Sequence, residues 1–216
     1  EGSLTPMDNI YCNGEFNLGN WTFKNWKPGG HGHMNLHQSI AQSCDIFFYQ
    51  AGLKVGGDMM AKYAQAFGLG SPTGIDLGGE RFGLVPFSPA QRQRAKRSWL
   101  AGDTGNMSIG QGQLLVTPLQ IARMMAAVAN GGVMWKPRLV QRVERADGRL
   151  AYSSSSQMTE RVDLSPVVWG FLRHSLAAVV KEGTGALARV PGVEIAGKTG
   201  TAQTISKSDS SKGQDL

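Results

Sequence analysis

The chain has 216 residues, 41% hydrophobic and 18% charged, with 29 glycines and a net charge of +6. That is enough for one substantial core, leaves little room for a second domain, and excludes a coiled coil or a disordered tail. With no run of about eighteen apolar residues it also excludes a membrane-spanning helix, and the densest basic patch (Arg92, Arg94, Lys96, Arg97) lacks the interleaved aromatics of a nucleic-acid surface.

In chain order, Leu4 to His33 is rich in glycine, asparagine and tryptophan and reads as irregular structure. From Met34 the apolar residues Leu36, Ile40, Phe47, Phe48 and Ala51 recur at helical spacing, and the polar Gln42-Ser43-Cys44-Asp45 between them predicts two helices joined by a turn. Asp58 opens a further helix through Met60, Tyr63 and Phe67 that Gly68 stops, and Pro72 to Gly83 is a long connection. Thr117-Pro118 and Ser165-Pro166 are helix starts, since the hydroxyl caps free amides and proline suits the first turn. The first of these helices ends at Asn130-Gly131-Gly132 and the second near Gly183. Between them Leu139 to Arg145, the turn Asp147-Gly148 and Leu150 to Tyr152 predict an antiparallel pair, and Val193 to Ala196 predicts a strand running into Lys198-Thr199-Gly200. Helices early and strands late point to an α+β fold.

Ser-x-x-Lys, Ser-Asp-Asn and Lys-Thr-Gly form the signature set of penicillin-binding proteins and class A β-lactamases. Lys198-Thr199-Gly200 supplies the third element, Ser43-Cys44-Asp45 supplies the second with aspartate at its last position, and no serine is followed three residues later by lysine. Thr204-Ile205-Ser206-Lys207 is a decoy in a polar terminal segment, where a nucleophile cannot be held to the tolerance acyl transfer demands.

The wider pattern resembles class B penicillin-binding proteins, within them the cell-elongation, penicillin-binding protein 2 type. The matching stretches are Gly30-His31-Gly32-His33, Ser43 to Tyr49, Thr73 to Leu77, Gly102-Asp103-Thr104, Ser108 to Gly112 with Thr117 to Gln120, and Ala196 to Gln203. The resemblance implies an α+β penicillin-binding and serine β-lactamase-like transpeptidase fold. It implies that residues 1–216 are a partial transpeptidase domain, lacking the upstream Ser-x-x-Lys helix and the C-terminal strands and helix, and itself inactive. The parent would be a peptidoglycan D,D-transpeptidase that cross-links D-Ala-D-Ala stem peptides through an acyl-serine intermediate and binds β-lactams. Its place would be the periplasmic face of the inner membrane, beside a glycosyltransferase of the elongation machinery. Ser43 would relay protons and Lys198 would supply positive potential, the two catalytic positions. Asp45, Thr199, Gly200 and Thr201 would bind substrate, with the Thr201 amide as an oxyanion donor. The alternative is a β-lactam-sensing or noncatalytic cell-wall-binding module; the long Gly78 to Gly112 insert argues against a sensor or β-lactamase.

Cys12 and Cys44 are the only cysteines, and with His31 they are ligand types that suit a structural zinc, although catalysis itself requires no cofactor. The resemblance implies such a site here in some elongation-type relatives, with cysteine or aspartate where this chain has Asn25; Asp8 or water would then complete the set. A Cys12 to Cys44 disulfide or two unpaired thiols are the other outcomes. His33 and His37 are expected to face solvent and His174 to be structural.

Overall fold

The structure is a computed structural model that describes residues 4–86 and 98–201. The basic patch at 92–97 and the decoy at 204–207 lie outside the described residues.

The first segment is more regular than its composition predicts. Strands β1 (Ile10–Cys12) and β4 (Gly32–Met34) pair antiparallel, with Cys12 opposite Gly32, and β2 (Glu15–Leu18) and β3 (Trp21–Lys24) form a tight hairpin. Each strand is three or four residues long, too short for an alternation to show in the sequence. Gly30 sits where a Cβ would lie 2.1 Å from the Cys12 carbonyl oxygen, so only glycine lets the chain fold back this closely.

Helix α1 (Leu36–Gln42) starts in a reciprocal capping box between Asn35 and Gln38, and α2 (Asp45–Val55) begins three residues after it ends. The break is where the sequence predicts it. Ser43 adopts the left-handed conformation (φ 53, ψ 51), the only non-glycine residue described with a positive φ, and Cys44 caps α2 in an extended conformation. Helix α3 (Gly57–Ala66) ends at Phe67 and Gly68.

The connection from 67 to 84 has no regular element, and buried Gln120 holds it by donating to the carbonyls of Ser71 (2.7 Å) and Phe82 (2.8 Å). Helix α4 (Ala101–Ser108) has no counterpart in the sequence reading, because Gly102 and Gly105 lower its helical propensity. Those glycines allow close packing: Gly105 lies against Tyr49, and Gly52 of α2 sits where a Cβ would come within 2.3 Å of Ser108.

Helix α5 (Pro118–Asn130) has the expected Thr117 cap and a left-handed Gly131 at its end. Strand β5 (Val133–Trp135) pairs with β8 (Met158–Arg161), and β6 (Arg142–Glu144) with β7 (Leu150–Ser153), so the predicted hairpin forms but starts later than Leu139. The amides of Leu139 and Val140 are taken instead by the Asp76 carboxylate at 3.0 and 3.3 Å. Helix α6 (Pro166–Lys181), capped by Ser165, buries Trp169, Ser175 and Val179 against α1 and α5.

The strand predicted at 193–196 is not present. That stretch makes a single bridge, Val190 with Val193, and Gly197 donates its amide to the Leu176 carbonyl at 3.1 Å. A strand needs a continuous partner, and among the described residues none lies beside it. The histidines divide. His33 is exposed as expected, whereas His37 is half-buried, bonded to the buried Ser175 hydroxyl at 3.0 Å and stacked on exposed His174 at 4.9 Å, because α1 turns that face onto α6.

Candidate active site

The α1–α2 turn is built to project Ser43. Its left-handed backbone costs about 1–2 kcal/mol for a residue with a Cβ, and the surroundings hold it: the Cys44 amide donates to the Ser39 carbonyl at 3.0 Å. From outside, the Trp26 indole donates to the Gln42 carbonyl (3.1 Å), the Trp26 amide to Asp45 Oδ2 (3.0 Å), and the Asp45 amide to Asn25 Oδ1 (3.0 Å). The segment after β3 thus clamps both ends of the turn.

Lys198 arrives from the far end of the chain. Its Nζ donates to Ser43 Oγ at 2.7 Å, to the Thr199 carbonyl at 3.1 Å and to Thr199 Oγ1 at 3.5 Å, three acceptors for the three hydrogens of an ammonium. Lys198 is exposed as a residue while its amine tucks against the turn. Desolvation there holds the amine below the ordinary lysine range, opposed by attraction to the Asp45 carboxylate. Desolvation likewise raises the Asp45 carboxyl, against the Trp26 amide and the charge of Lys198. The two groups moderate each other's burial.

Thr199, Gly200 and Thr201 are exposed, and among the described residues a Cβ on Gly200 would meet nothing within 4 Å, which leaves that face open to an incoming group. The Thr201 carbonyl is held by Gln111 Nε2 at 2.7 Å and the Thr199 hydroxyl by the Thr184 hydroxyl at 2.7 Å. Thr184, Asn25 and Trp26 are contributors that the sequence did not single out as site residues. Thr184 lies between two glycines after a helix, which reads only as a stop signal.

Cys12, His31 and Cys44 converge just beneath the turn, their ligand atoms all within 4.8 Å of one another. Both cysteines are free and fully buried. Cys12 Sγ lies 3.8 Å from His31 Nδ1, and His31 Nε2 is buried without a partner among the described residues. Burial pushes the Cys44 thiol up to about 12, so a thiolate there requires a positive charge beside it. Asp8 does not join this group, since its carboxylate binds the amide and hydroxyl of Thr5. Asn25 lies next to it, with Nδ2 3.3 Å from His31 Nδ1, while its Oδ1 faces the Asp45 amide.

This geometry can be set beside known proteins. The family description "Penicillin binding protein transpeptidase domain" matches residues 1–215. The chain belongs to the penicillin-binding protein transpeptidase family. The peptidoglycan D,D-transpeptidase MrdA of Acinetobacter baumannii is 36% identical over 194 residues, covering 85% of this chain and 27% of the relative. That of Haemophilus influenzae is 33% identical over 222 residues, covering 98% and 33%. Among solved structures, Pseudomonas aeruginosa penicillin-binding protein 2 in complex with WCK 5153 superposes with a TM-score of 0.79 at 32% identity, covering 94% of this chain and 46% of that one. Helicobacter pylori penicillin-binding protein 2 gives 0.80 at 30% identity, covering 93% and 37%.

This transpeptidase domain therefore has the expected α+β fold and relatives of the penicillin-binding protein 2 type, and its chain spans roughly a third of the length of those curated relatives. The family's reaction is serine-based and needs no cofactor. The fold of this transpeptidase domain brings the turn around Ser43 and the segment from Lys198 to Gly200 into direct contact.

Proposed function

We propose that this chain forms the substrate-gripping part of the active site of a peptidoglycan D,D-transpeptidase, which cross-links stem peptides ending in D-Ala-D-Ala and is acylated by β-lactams. The contact of Lys198 Nζ with Ser43 Oγ at 2.7 Å carries this reading, and the family match and the names of the relatives support it.

The nucleophile is a serine of a Ser-x-x-Lys segment outside these 216 residues, so the chain alone does not turn over. The serine oxygen bonds to the carbonyl carbon of the penultimate D-alanine, the bond to the terminal D-alanine nitrogen breaks, and the serine proton passes through Ser43 to that nitrogen. The acceptor amine of a second stem then attacks the ester carbon and releases the serine, which regains its proton. Lys198 keeps the groove positive, and the hydroxyls of Thr199 and Thr201 bind the terminal carboxylate. The Thr201 amide faces the developing oxyanion, and Gly200 leaves the ligand room to approach. Asp45 contacts the substrate amide while its carboxylate also takes the Trp26 amide.

Cys12, His31 and Cys44 fit a structural zinc by donor type, spacing and burial. The ion would fix β1, the loop before β4 and the start of α2 to one another, and so hold the Ser43 turn without entering the reaction. No helix among the described residues is long and apolar enough to cross a membrane. In this reading the whole protein is held at the periplasmic face of the inner membrane beside a glycosyltransferase. Support comes from similarity to a peptidoglycan synthase complex that coordinates polymerization and crosslinking, and to the Helicobacter pylori penicillin-binding protein 2 complex with MreC.

Fluorescent penicillin tests the proposal on the full-length protein that carries this chain. A covalent one-to-one adduct is expected, blocked by unlabelled penicillin and by replacing the Ser-x-x-Lys serine with alanine. A full-length protein that binds cell-wall sacculi yet takes up no label is a noncatalytic wall-binding module instead.

A further inference from the structure

The segment after α6 touches both halves of the site. Gln42 Nε2 of α1 donates to the Glu182 carbonyl at 3.1 Å, and the Thr184 amide donates to the Ala41 carbonyl at 3.1 Å. Between them Gly183 passes so close that a Cβ there would lie 2.0 Å from the Ala41 carbonyl oxygen. On its other side the segment is anchored to α6 by the Gly185 amide, which donates to the Val179 carbonyl at 2.9 Å, and by Arg189 Nε, which donates to the Val180 carbonyl at 2.8 Å. Thr184 is therefore a fixed point on the last turn of α1, the turn that ends in Ser43.

From that fixed point its hydroxyl reaches Thr199 Oγ1 at 2.7 Å. Thr199 Oγ1 also accepts from Lys198 Nζ at 3.5 Å, and a hydroxyl has one hydrogen to give. If Thr184 donates to Thr199, the Thr199 hydrogen is released toward the open face beside Gly200, where an anionic ligand would need it.

We propose that Thr184 is a positioning residue for carboxylate recognition, its backbone fixed to the last turn of α1 and its hydroxyl orienting that of Thr199. This rests on the transpeptidase reading above. Thr184 acts through Thr199, to which its hydroxyl is bonded. Its effect falls on the binding of the ligand carboxylate and not on the acylation step that follows.

The test uses the full-length protein with two probes, benzylpenicillin and its methyl ester, which lacks the free carboxylate. Thr184→Val removes the hydroxyl and keeps the branched shape, Thr184→Ala removes it without bulk, and Thr184→Ser restores it. Both Val and Ala should weaken pre-acylation binding of benzylpenicillin about fivefold, the size of one neutral hydrogen bond, with the acylation rate constant and ester reactivity within about twofold and Ser close to the parent. If both variants bind benzylpenicillin as the parent does, or lose acid and ester reactivity in equal measure together with thermal stability, the assignment is wrong while the transpeptidase reading stands. A parent that neither probe acylates overturns both.

Discussion

Lys198 Nζ donates to Ser43 Oγ at 2.7 Å across 155 positions of sequence, and Ser43 holds its half of that contact in a left-handed backbone conformation. The geometry separates what the hydroxyl does from what the backbone costs. Ser43→Gly keeps the turn, relieves up to about 1–2 kcal/mol of left-handed strain and gives part of that back as unfolded-chain entropy. Ser43→Ala keeps the strain and loses the hydroxyl. Thermal melting should rank glycine at or above the parent and alanine below it, while penicillin acylation of the full-length protein slows in both.

Lys198→Ala removes a charge-assisted donor from Ser43 and Thr199. Acylation should fall by about 10- to 100-fold, as a bond to a charged group implies, with little change in Tm because the residue is exposed. Stopped-flow acylation kinetics alongside calorimetry would check both halves.

Asp45 and Lys198 should titrate as partners. Because the folded lysine binds its proton less tightly than the unfolded one, the unfolded chain holds more protons between the folded value and the ordinary 10.5, and this group's contribution to stability rises with pH across that window. Asp45→Asn removes the attraction that offsets desolvation, so the Lys198 value should fall further and the window should widen downward. Proton-coupled NMR of carbon-labelled lysine would show it, and an unchanged or higher value in the variant would refute the coupling.

Two glycines near the ends of α6 should respond oppositely to alanine. Gly183→Ala places a methyl against the backbone of Ala41 and Val179, at 2.0 and 3.0 Å, and should cost about 1–3 kcal/mol or more by forcing α1 and α6 apart. A Cβ on Gly170, inside α6 and exposed, would meet nothing within 4 Å among the described residues, so Gly170→Ala should stabilise by about 0.5–1 kcal/mol. Chemical denaturation of both variants is the measurement.

Zinc should bind at one equivalent per chain through Cys12, His31 and Cys44, raising Tm, and a strong chelator should lower it. Cys12→Ser should abolish both effects. Metal analysis that finds no zinc in protein purified without chelator, and no shift on adding it, rules the site out.

Much of the helical frame was legible because its signals are local. The Thr117-Pro118 and Ser165-Pro166 caps, the stops at Gly68 and Gly131, and the polar break at Gln42 to Asp45 act within a turn or two of chain, and the helices begin and end there. The short strands of the first segment and α4 were not legible, since their residues carry weak propensities and the elements form through packing: Gly105 of α4 against Tyr49, Cys12 of β1 against Gly32. The strand expected before Lys198 failed for the complementary reason. Its residues favour a strand, but a strand needs a neighbour, and sequence preference does not supply one.

By itself the sequence determined which reactive side chains the chain offers: a lysine, a serine, threonine hydroxyls, two thiols and imidazoles. Only the tertiary structure decided which of them meet. Helical caps are settled by bonds between residues three or four apart. The approach of Lys198 to Ser43, the grip of Thr184 on Thr199 and the convergence of Cys12 with Cys44 depend on how α1, α6 and the short strands pack, a sum over many distant contacts that no local stretch encodes.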